Sequence, residues 1–498
     1  MAKKKKDNTL QYLQMPLPSG RKYSKMTKVA FGGLNKRQTI DSGELSMERN
    51  ISTSEYPYLT PSEEKTIVKS GYTNPISMFA FDNFILVIYR QNTAIMIDYI
   101  KLVKGVYKKY TGTLKAEGAT VDDEYQRSIV QFNVYNQSGD IVNGTYDKKL
   151  LIFPDKMSID FEINADFTPA KMPDSMTPNI KYATVHLSRV FGVSDDTVYA
   201  SGFNDYTNWN LDTIDEYNES NAWMSKTQSN TKADGNFTGI TNFQGHIVCF
   251  KKDYMHEIYN TKNPFRIQDI YAEGTIDNRT IQDVDGKLIF VSEDDVKIYT
   301  GSNPRIIGYN LNMPRYDYAV SGTDNRNYYL YCEDGSGKGY LYVYDTYTDM
   351  WSEQGIYEKI ISFAHNKNGM YMLCANGVVY KMDTGGYSDD WCFETDLITN
   401  KTVHIKHIKK LQMLVEANTN AKMRVYILYD NEVFDSLSPE EKDKRLVFSN
   451  KERTGKFPVR VKPRKTANYG FKLHIEGSGY VKLYELEIFV EAGGELYV

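Results

Sequence analysis

Only four cysteines, Cys249, Cys332, Cys374 and Cys392, are scattered along 498 residues, and no CxxC pair occurs. The first three sit in apolar, strand-like runs, so buried free thiols are expected rather than a disulfide framework or a cysteine metal site. Long apolar runs are also lacking. The longest candidate, Phe84 to Ile100, is interrupted by Arg90, Gln91, Asn92 and Asp98. Nothing approaches the roughly 18 apolar residues that a membrane helix needs. An excess of one charge is absent too: 60 basic residues face 64 acidic ones, a net charge of −4. That near balance argues against a general nucleic-acid binder. Lys3, Lys4, Lys5 and Lys6 are followed by Asp7, Asn8 and Thr9 rather than by an apolar stretch. This is not a secretory signal, and the chain is expected to be made and kept in a cytoplasm. The four lysines read as a solvated arm, with contact to nucleic acid or an acidic partner as the functional alternative. With 15 prolines and 34 glycines the chain is neither fibrous nor low in complexity.

Catalytic signatures are equally sparse. No HExxH, GxSxG or P-loop motif occurs; Gly335 to Tyr340 (GSGKGY) holds a Gly-Lys step but joins two strands instead of opening a helix. Of the seven histidines, His404 and His407 are three apart in a strand-like run and so face opposite ways, a poor metal geometry. His246 alternates with Val248 in a core strand and reads as a structural histidine. The acid pairs Asp195-Asp196, Asp294-Asp295 and Asp389-Asp390 are adjacent in turns, where side chains diverge, whereas glycoside hydrolysis needs carboxylates facing one another across a cleft. Asp283 to Gly286 comes nearest to a calcium loop but lacks its first Asp and its distal Glu, and reads as a turn. No catalytic residue, cofactor or metal ligand is expected, and the chain is read as a non-enzyme.

What is abundant is tyrosine, 40 copies, with 22 phenylalanines and many Thr, Val and Ile, all of which favour strands. One short helix is expected at Leu437 to Asp443, with Ser438 as its cap and Pro439 in its first turn. Elsewhere turn residues lead into short apolar strands. These places are Asp82-Asn83, Asp147-Lys148, Ser194-Asp195-Asp196, Gln244-Gly245, Asp285-Gly286, Asn325-Arg326 and Asn368-Gly369. From Gln244 onward they recur about every 40 to 43 residues, the period of a propeller blade. Blades are small sheets that bury their faces only against one another. The expected architecture is all-β: a six- or seven-bladed β-propeller at 71–385, an extended N-terminal arm at 1–70, and a C-terminal β-sandwich at 386–498. Gly385 to Ser388 marks the boundary between propeller and sandwich, and Asn376-Gly377 reads as a hairpin turn.

Two segments carry a further signal. Phe31 to Pro61 presents Gly32, Gly33, Asn50, Ile51, Ser52, Tyr56, Pro57 and Leu59; Arg189 to Trp209 presents Arg189, Phe191, Gly192, Tyr199, Ser201 and Trp209. With a propeller body, they resemble the tail stabilisation, hub or nozzle proteins of tailed bacteriophages. The C-terminal sandwich departs from that pattern. The resemblance implies a virion protein of the tail, assembled in the bacterial host cytoplasm. It implies a homo-oligomeric ring, usually of six copies, below the portal and adaptor. Phage DNA would pass through that ring without sequence recognition. A host-glycan-binding tail adhesin and a propeller glycosidase are the rival expectations.

Overall fold

The computed structural model describes residues 23–492 except 38–39, 41–42, 119–124, 135–146, 173–176, 212–217, 227–234, 272, 294, 314–315, 357, 400–404, 451–452 and 465. Its organisation is all-β. Seven four-stranded antiparallel sheets follow one another in the chain. We number them blades 1 to 7: 75–115, 129–171, 182–226, 239–271, 282–306, 316–354, and 360–381 completed by 66–69. First strands touch between blades 2 and 3, 3 and 4, 5 and 6, 6 and 7, and 7 and 1; shared apolar cores join blade 1 to blade 2 and blade 4 to blade 5. The ring is therefore closed, with seven blades.

Each blade buries both faces against its neighbours. Between blades 1 and 2, for example, Phe84, Leu86, Ile97 and Tyr99 pack with Ile129, Leu150 and Ile159. Between blades 5 and 6, Ile289, Val291 and Ile298 pack with Tyr328, Leu330, Tyr344 and Trp351. This mutual burial explains why the middle strands read as continuous apolar runs rather than alternating ones. The Phe84–Gln91 strand is buried at six of its eight positions.

Closure depends on a long-range strand. Thr66–Lys69 adds to Val379–Lys381 as the outermost strand of blade 7. The chain thus enters and completes the ring in the same blade, which spares it an unpaired edge.

The C-terminal unit is a two-sheet sandwich. One sheet runs in the order 23–28, 481–492, 406–417, 455–461; the other in the order 45–49, 391–395, 471–478, 422–429, 446–449. The last blade strand ends at Lys381 and the first sandwich strand begins at Trp391, with Gly385 to Ser388 between them. The helix forms at Pro439–Arg445. Ser438 Oγ accepts from Glu441 N while the Glu441 carboxylate accepts from Ser438 N, so the two ends satisfy each other. No helix among the described residues is long and apolar enough to cross a membrane.

Residues 23–69 do not form the extended arm expected over 1–70. Tyr23–Lys28 pairs with the strand ending at Ala492, Leu45–Arg49 pairs with Trp391–Thr395, and Thr66–Lys69 closes the propeller. Their partners lie hundreds of residues away, so no local repeat advertises them. Residues 1–22, including Lys3 to Lys6, lie outside the described residues.

Candidate interaction surface

The first motif-bearing segment is the seam between the two units. Gly33 approaches blade 6 so closely that a Cβ there would lie 2.5 Å from the Trp351 carbonyl oxygen. Next to it Leu34 N donates to that same oxygen at 2.8 Å, and the Leu34 side chain enters the core between blades 5 and 6. Phe31, Leu45, Ile51 and Leu59 point the other way, into the sandwich core. Asn50 sits between the two units in the left-handed region, φ 57°. Its N–H donates to Glu353 O (2.9 Å), its Oδ1 accepts from Gly355 N (2.8 Å), and its Nδ2 donates to Asp390 O (2.6 Å). Asparagine tolerates that backbone and supplies both a donor and an acceptor, which explains the residue type.

Glu48 lies in the same seam, 2% exposed. Its Oε1 accepts from Glu353 N at 3.1 Å, and Oε2 has no hydrogen-bond partner among the described residues. Burial, reinforced by the neighbouring Glu353 carboxylate, raises its pKa well above the ordinary glutamate value.

The second motif-bearing segment holds a loop. Arg189 is buried at the start of the second strand of blade 3. Its Nη1 donates to Ser201 O and Asn221 O (2.6 and 2.8 Å), and its Nη2 donates to Glu219 O at 2.5 Å. One planar fork thereby gathers both ends of the 201–222 excursion between the third and fourth strands of blade 3. Ser201 Oγ accepts from Val190 N (3.0 Å), and Trp209 Nε1 donates to Tyr206 O (2.9 Å) while its ring packs against blade 2. Phe191 packs the opposite side of the blade against blade 4. A Cβ on Gly192 would stand 2.5 Å from Ile180, so close packing, not a turn, demands this glycine.

Arg189 and its partners display an apolar surface. At the end of the propeller that carries the first-to-second and third-to-fourth strand turns, Leu187, Phe203, Leu211 and Tyr259 of blades 3 and 4 are exposed, Phe203 by 50% and Leu211 by 45%. Around them Glu219 pairs with Lys262 across the two blades at 3.0 Å. His246 lies on the same side. Its Nε2 is 3.0 Å from Glu257 Oε1, and its ring stacks on Tyr259 with a 7° interplanar angle. Tyr299 OH also donates to Glu257, at 2.6 Å. Burial, with His246 nearby, lowers the pKa of His186. This arrangement offers shape and apolar area rather than reacting groups.

The other residues singled out in the sequence are dispersed. Asp195 occupies a turn at φ 49°, Asp196 lies 3.4 Å from Lys226, Asp295 accepts from Val296 N, and Asp390 pairs with Arg49 at 2.9 Å. Asp294 and His404 lie outside the described residues. His407 Nδ1 is 3.0 Å from Thr466 O. Asp283 Oδ1 accepts from Gly286 N, a turn contact. In GSGKGY the loop is held by Asp334, which accepts from Ser336 N and Lys338 N. All four cysteines are buried and free, and burial pushes the thiols of Cys332, Cys374 and Cys392 up to about 12. The exposed Leu187, Phe203 and Leu211 were not foreseen: an apolar residue in a loop looks the same in sequence whether it is covered or not.

No family model and no curated protein matches the chain. Among solved structures it is similar to the WD40 domain of Toxoplasma gondii coronin, at 10% identity over 69% of this chain and 90% of that one, TM-score 0.38. It is likewise similar to BamB from Moraxella catarrhalis (9% identity, 64% and 96% covered, TM-score 0.32). A third is the acylaminoacyl peptidase of Pyrococcus horikoshii (11% identity, 66% and 57% covered, TM-score 0.30). These likenesses are too weak to carry an argument; the propeller assignment stands on the seven sheets and their closure.

Proposed function

We propose that the chain is a non-enzymatic structural component of a bacteriophage tail. Its copies would form a nozzle or hub ring below the portal and adaptor and shape part of the DNA-exit channel. The observation that supports this reading is where the two family-like segments fall. Gly33 and Asn50 weld sandwich to propeller, and Arg189 with Ser201 pins the loop that presents Phe203 and Leu211. Both segments build a rigid body with an exposed apolar patch, which is what a ring subunit uses to meet other subunits. Near-balanced charge suits a passage that DNA traverses without sequence recognition. Gold-labelled antibody on particles, viewed by electron microscopy, tests the proposal. Label at the tail vertex or along the tail axis supports it, and label on peripheral fibres or on no particle overturns it.

A glycan-binding adhesin is the second reading. It is favoured by two half-exposed tyrosine pairs where the sandwich meets the 51–62 segment, Tyr58–Tyr484 and Tyr387–Tyr480, each with ring centroids 4.7 Å apart. Against it, Lys456 Nζ already stands 3.6 Å from the Tyr484 ring centre, where a sugar would stack. Binding on a glycan array would favour the adhesin over the ring.

A further inference from the structure

From Arg453 to Ile475 the sequence contains seven lysines and arginines and no acid, although the whole chain carries a net charge of −4. The stretch opens with Gly455–Val461, the free edge of the four-stranded sandwich sheet. Val459 and Val461 face the core, so Arg460 faces outward, paired with Gln412 on the neighbouring strand. The exposed Lys462 and Arg464 continue the row past the strand. Lys410, two residues before Gln412, lies on the same outer face, with its Nζ 5.4 Å from the Phe489 ring centre. At 3.3 Å per residue the row from Arg460 to Arg464 is about 13 Å long.

Among the described residues none of these four cations has an acidic partner or a side-chain hydrogen bond. The other charges of the sheet face are engaged. Lys409 Nζ is 2.6 Å from Glu491, Lys25 pairs with Glu487, Lys456 Nζ stands over the Tyr484 ring, and Glu416 accepts from Tyr484 OH at 2.5 Å. Glu485 is the remaining acid of this face; it pairs in register with Leu414 and lies across the Lys406–Ala417 strand from the row. Edge protection is the competing explanation, since charges keep sheet edges from pairing. It accounts for Arg460 but not for Lys462 and Arg464, which lie past the strand, nor for Lys410, which is on an interior strand. Like charges gathered without counter-charges repel one another, and a ligand that carries repeated negative charge relieves that repulsion.

We propose that Lys410, Arg460, Lys462 and Arg464 form a contact for the phosphodiester backbone of double-stranded DNA. The inference rests on the ring reading, which brings DNA past the subunit, and it assigns the sandwich rather than the propeller to the channel side. The two guanidinium forks suit phosphate oxygens, and contacts of this kind hold DNA without reading its bases. The balanced charge of the chain as a whole confines the attraction to this face. One copy supplies only a weak hold, and copies round a ring add theirs on the same duplex.

The test is binding of the full chain to fluorescent DNA duplexes of unrelated sequence, followed by anisotropy from about 50 to 200 mM salt. The wild type should bind all duplexes alike, with a Kd on the order of 10⁻⁴ to 10⁻⁶ M. Its log K should fall against log salt with a slope of roughly −3 to −4, the value for four phosphate contacts. K462Q/R464Q removes two cations that lie outside the strand and hold nothing else, so its unfolding temperature should match wild type. Its slope should be smaller by about 2 and its affinity at low salt at least about tenfold lower. K104Q/K108Q, which neutralises two exposed lysines of blade 1, should behave as wild type. A wild type that leaves the duplexes unbound at low salt overturns the contact. So does K462Q/R464Q with an unchanged slope, or K104Q/K108Q with an equal loss, since the binding is then elsewhere or diffuse. Binding to heparin without binding to duplex overturns it as well and makes the row a site for sulfated glycans. Each of these failures leaves the ring reading to the gold label at the tail vertex.

Discussion

Arg189 Nη1 lies 2.6 Å from the carbonyl oxygen of Ser201, and the same nitrogen reaches Asn221 O at 2.8 Å, so one buried guanidinium ties together the two ends of an excursion 20 residues apart in sequence. Replacing it with methionine takes the guanidinium donors from three carbonyls, of which Ser201 O is buried and the Asn221 and Glu219 oxygens are partly exposed. The cost of such orphaned groups is about 1–3 kcal/mol each, lessened where water enters. We expect Arg189→Met to destabilise the propeller by roughly 3 kcal/mol and to accelerate amide exchange across 201–222. Arg189→Lys should rescue little, because an ammonium lacks the planar fork. Unchanged exchange in that loop for Arg189→Met would refute the clamp.

In the sequence this clamp shows only as a motif. Six of the seven turn signals in the sequence lead into the second strand of a blade, and their spacing revealed the period. In blade 3 the signal at Ser194 to Asp196 leads instead into the third strand, Thr197–Ala200. The true first turn there is Leu187-Ser188, at φ 47° and 56°. Hairpin turns with positive φ normally advertise themselves by Asn, Asp or Gly, and leucine does not. The three N-terminal strands stayed hidden for another reason. Pairing of Met26 with Ile488, or of Ile67 with Tyr380, is fixed by partners that no local window contains. The seam followed the same rule: Gly33 and Asn50 could be noticed as types, but the close approach to Trp351 and the bonds to Glu353 exist only in three dimensions.

Those hidden strands change what a truncation measures. Deleting residues 1–60 removes Tyr23–Lys28 and Leu45–Arg49 from the two sandwich sheets and strips the seam from blade 6. It exposes Leu411, Leu473 and Leu486, all now fully buried. The expected outcome is failure of the sandwich to fold, seen as lost near-ultraviolet dichroism and rapid proteolysis of 391–492. A deletion that unfolds cooperatively with wild-type amplitude would show that the N-terminal strands are dispensable.

Glu48 supports a prediction of opposite sign. A carboxyl with a folded pKa raised above its unfolded value favours the folded state at low pH. That contribution is complete below the ordinary value of 4.5 and is lost as pH rises through the raised value. Above 4.5 the buried carboxyl is therefore a burden on the folded state. Glu48→Gln keeps an acceptor for Glu353 N and removes the charge, and should stabilise the protein at pH 7 by on the order of 1 kcal/mol. Thermal unfolding of the variant across pH checks this; a lower unfolding temperature at pH 7 than wild type would contradict it.

On the face of the five-stranded sheet that packs against Phe434 and Tyr426, the pH dependence comes from a histidine between two carboxylates. Burial opposes charge on His474, but Glu394, with its Oε1 3.1 Å from Nδ1, and Glu476, at 3.6 Å from Nε2, outweigh it and raise the pKa above 6.5. The second distance is an ion-pair contact rather than a hydrogen bond. Phe434 stacks on the ring at 3.6 Å, so the imidazolium also gains a π face. Glu476 is held below 4.5, chiefly by its contact with His474. The raised histidine stabilises fully below about 6.5 and loses that contribution as pH climbs through its folded value. The depressed glutamate stabilises above about 4.5 and loses its contribution as pH falls through its own folded value. Together they place the stability maximum of the sandwich between those limits, with a decline toward alkaline pH. His474→Gln should flatten the alkaline limb of the unfolding-temperature profile and leave the propeller transition unmoved. An alkaline limb that survives the substitution would assign the dependence to other groups.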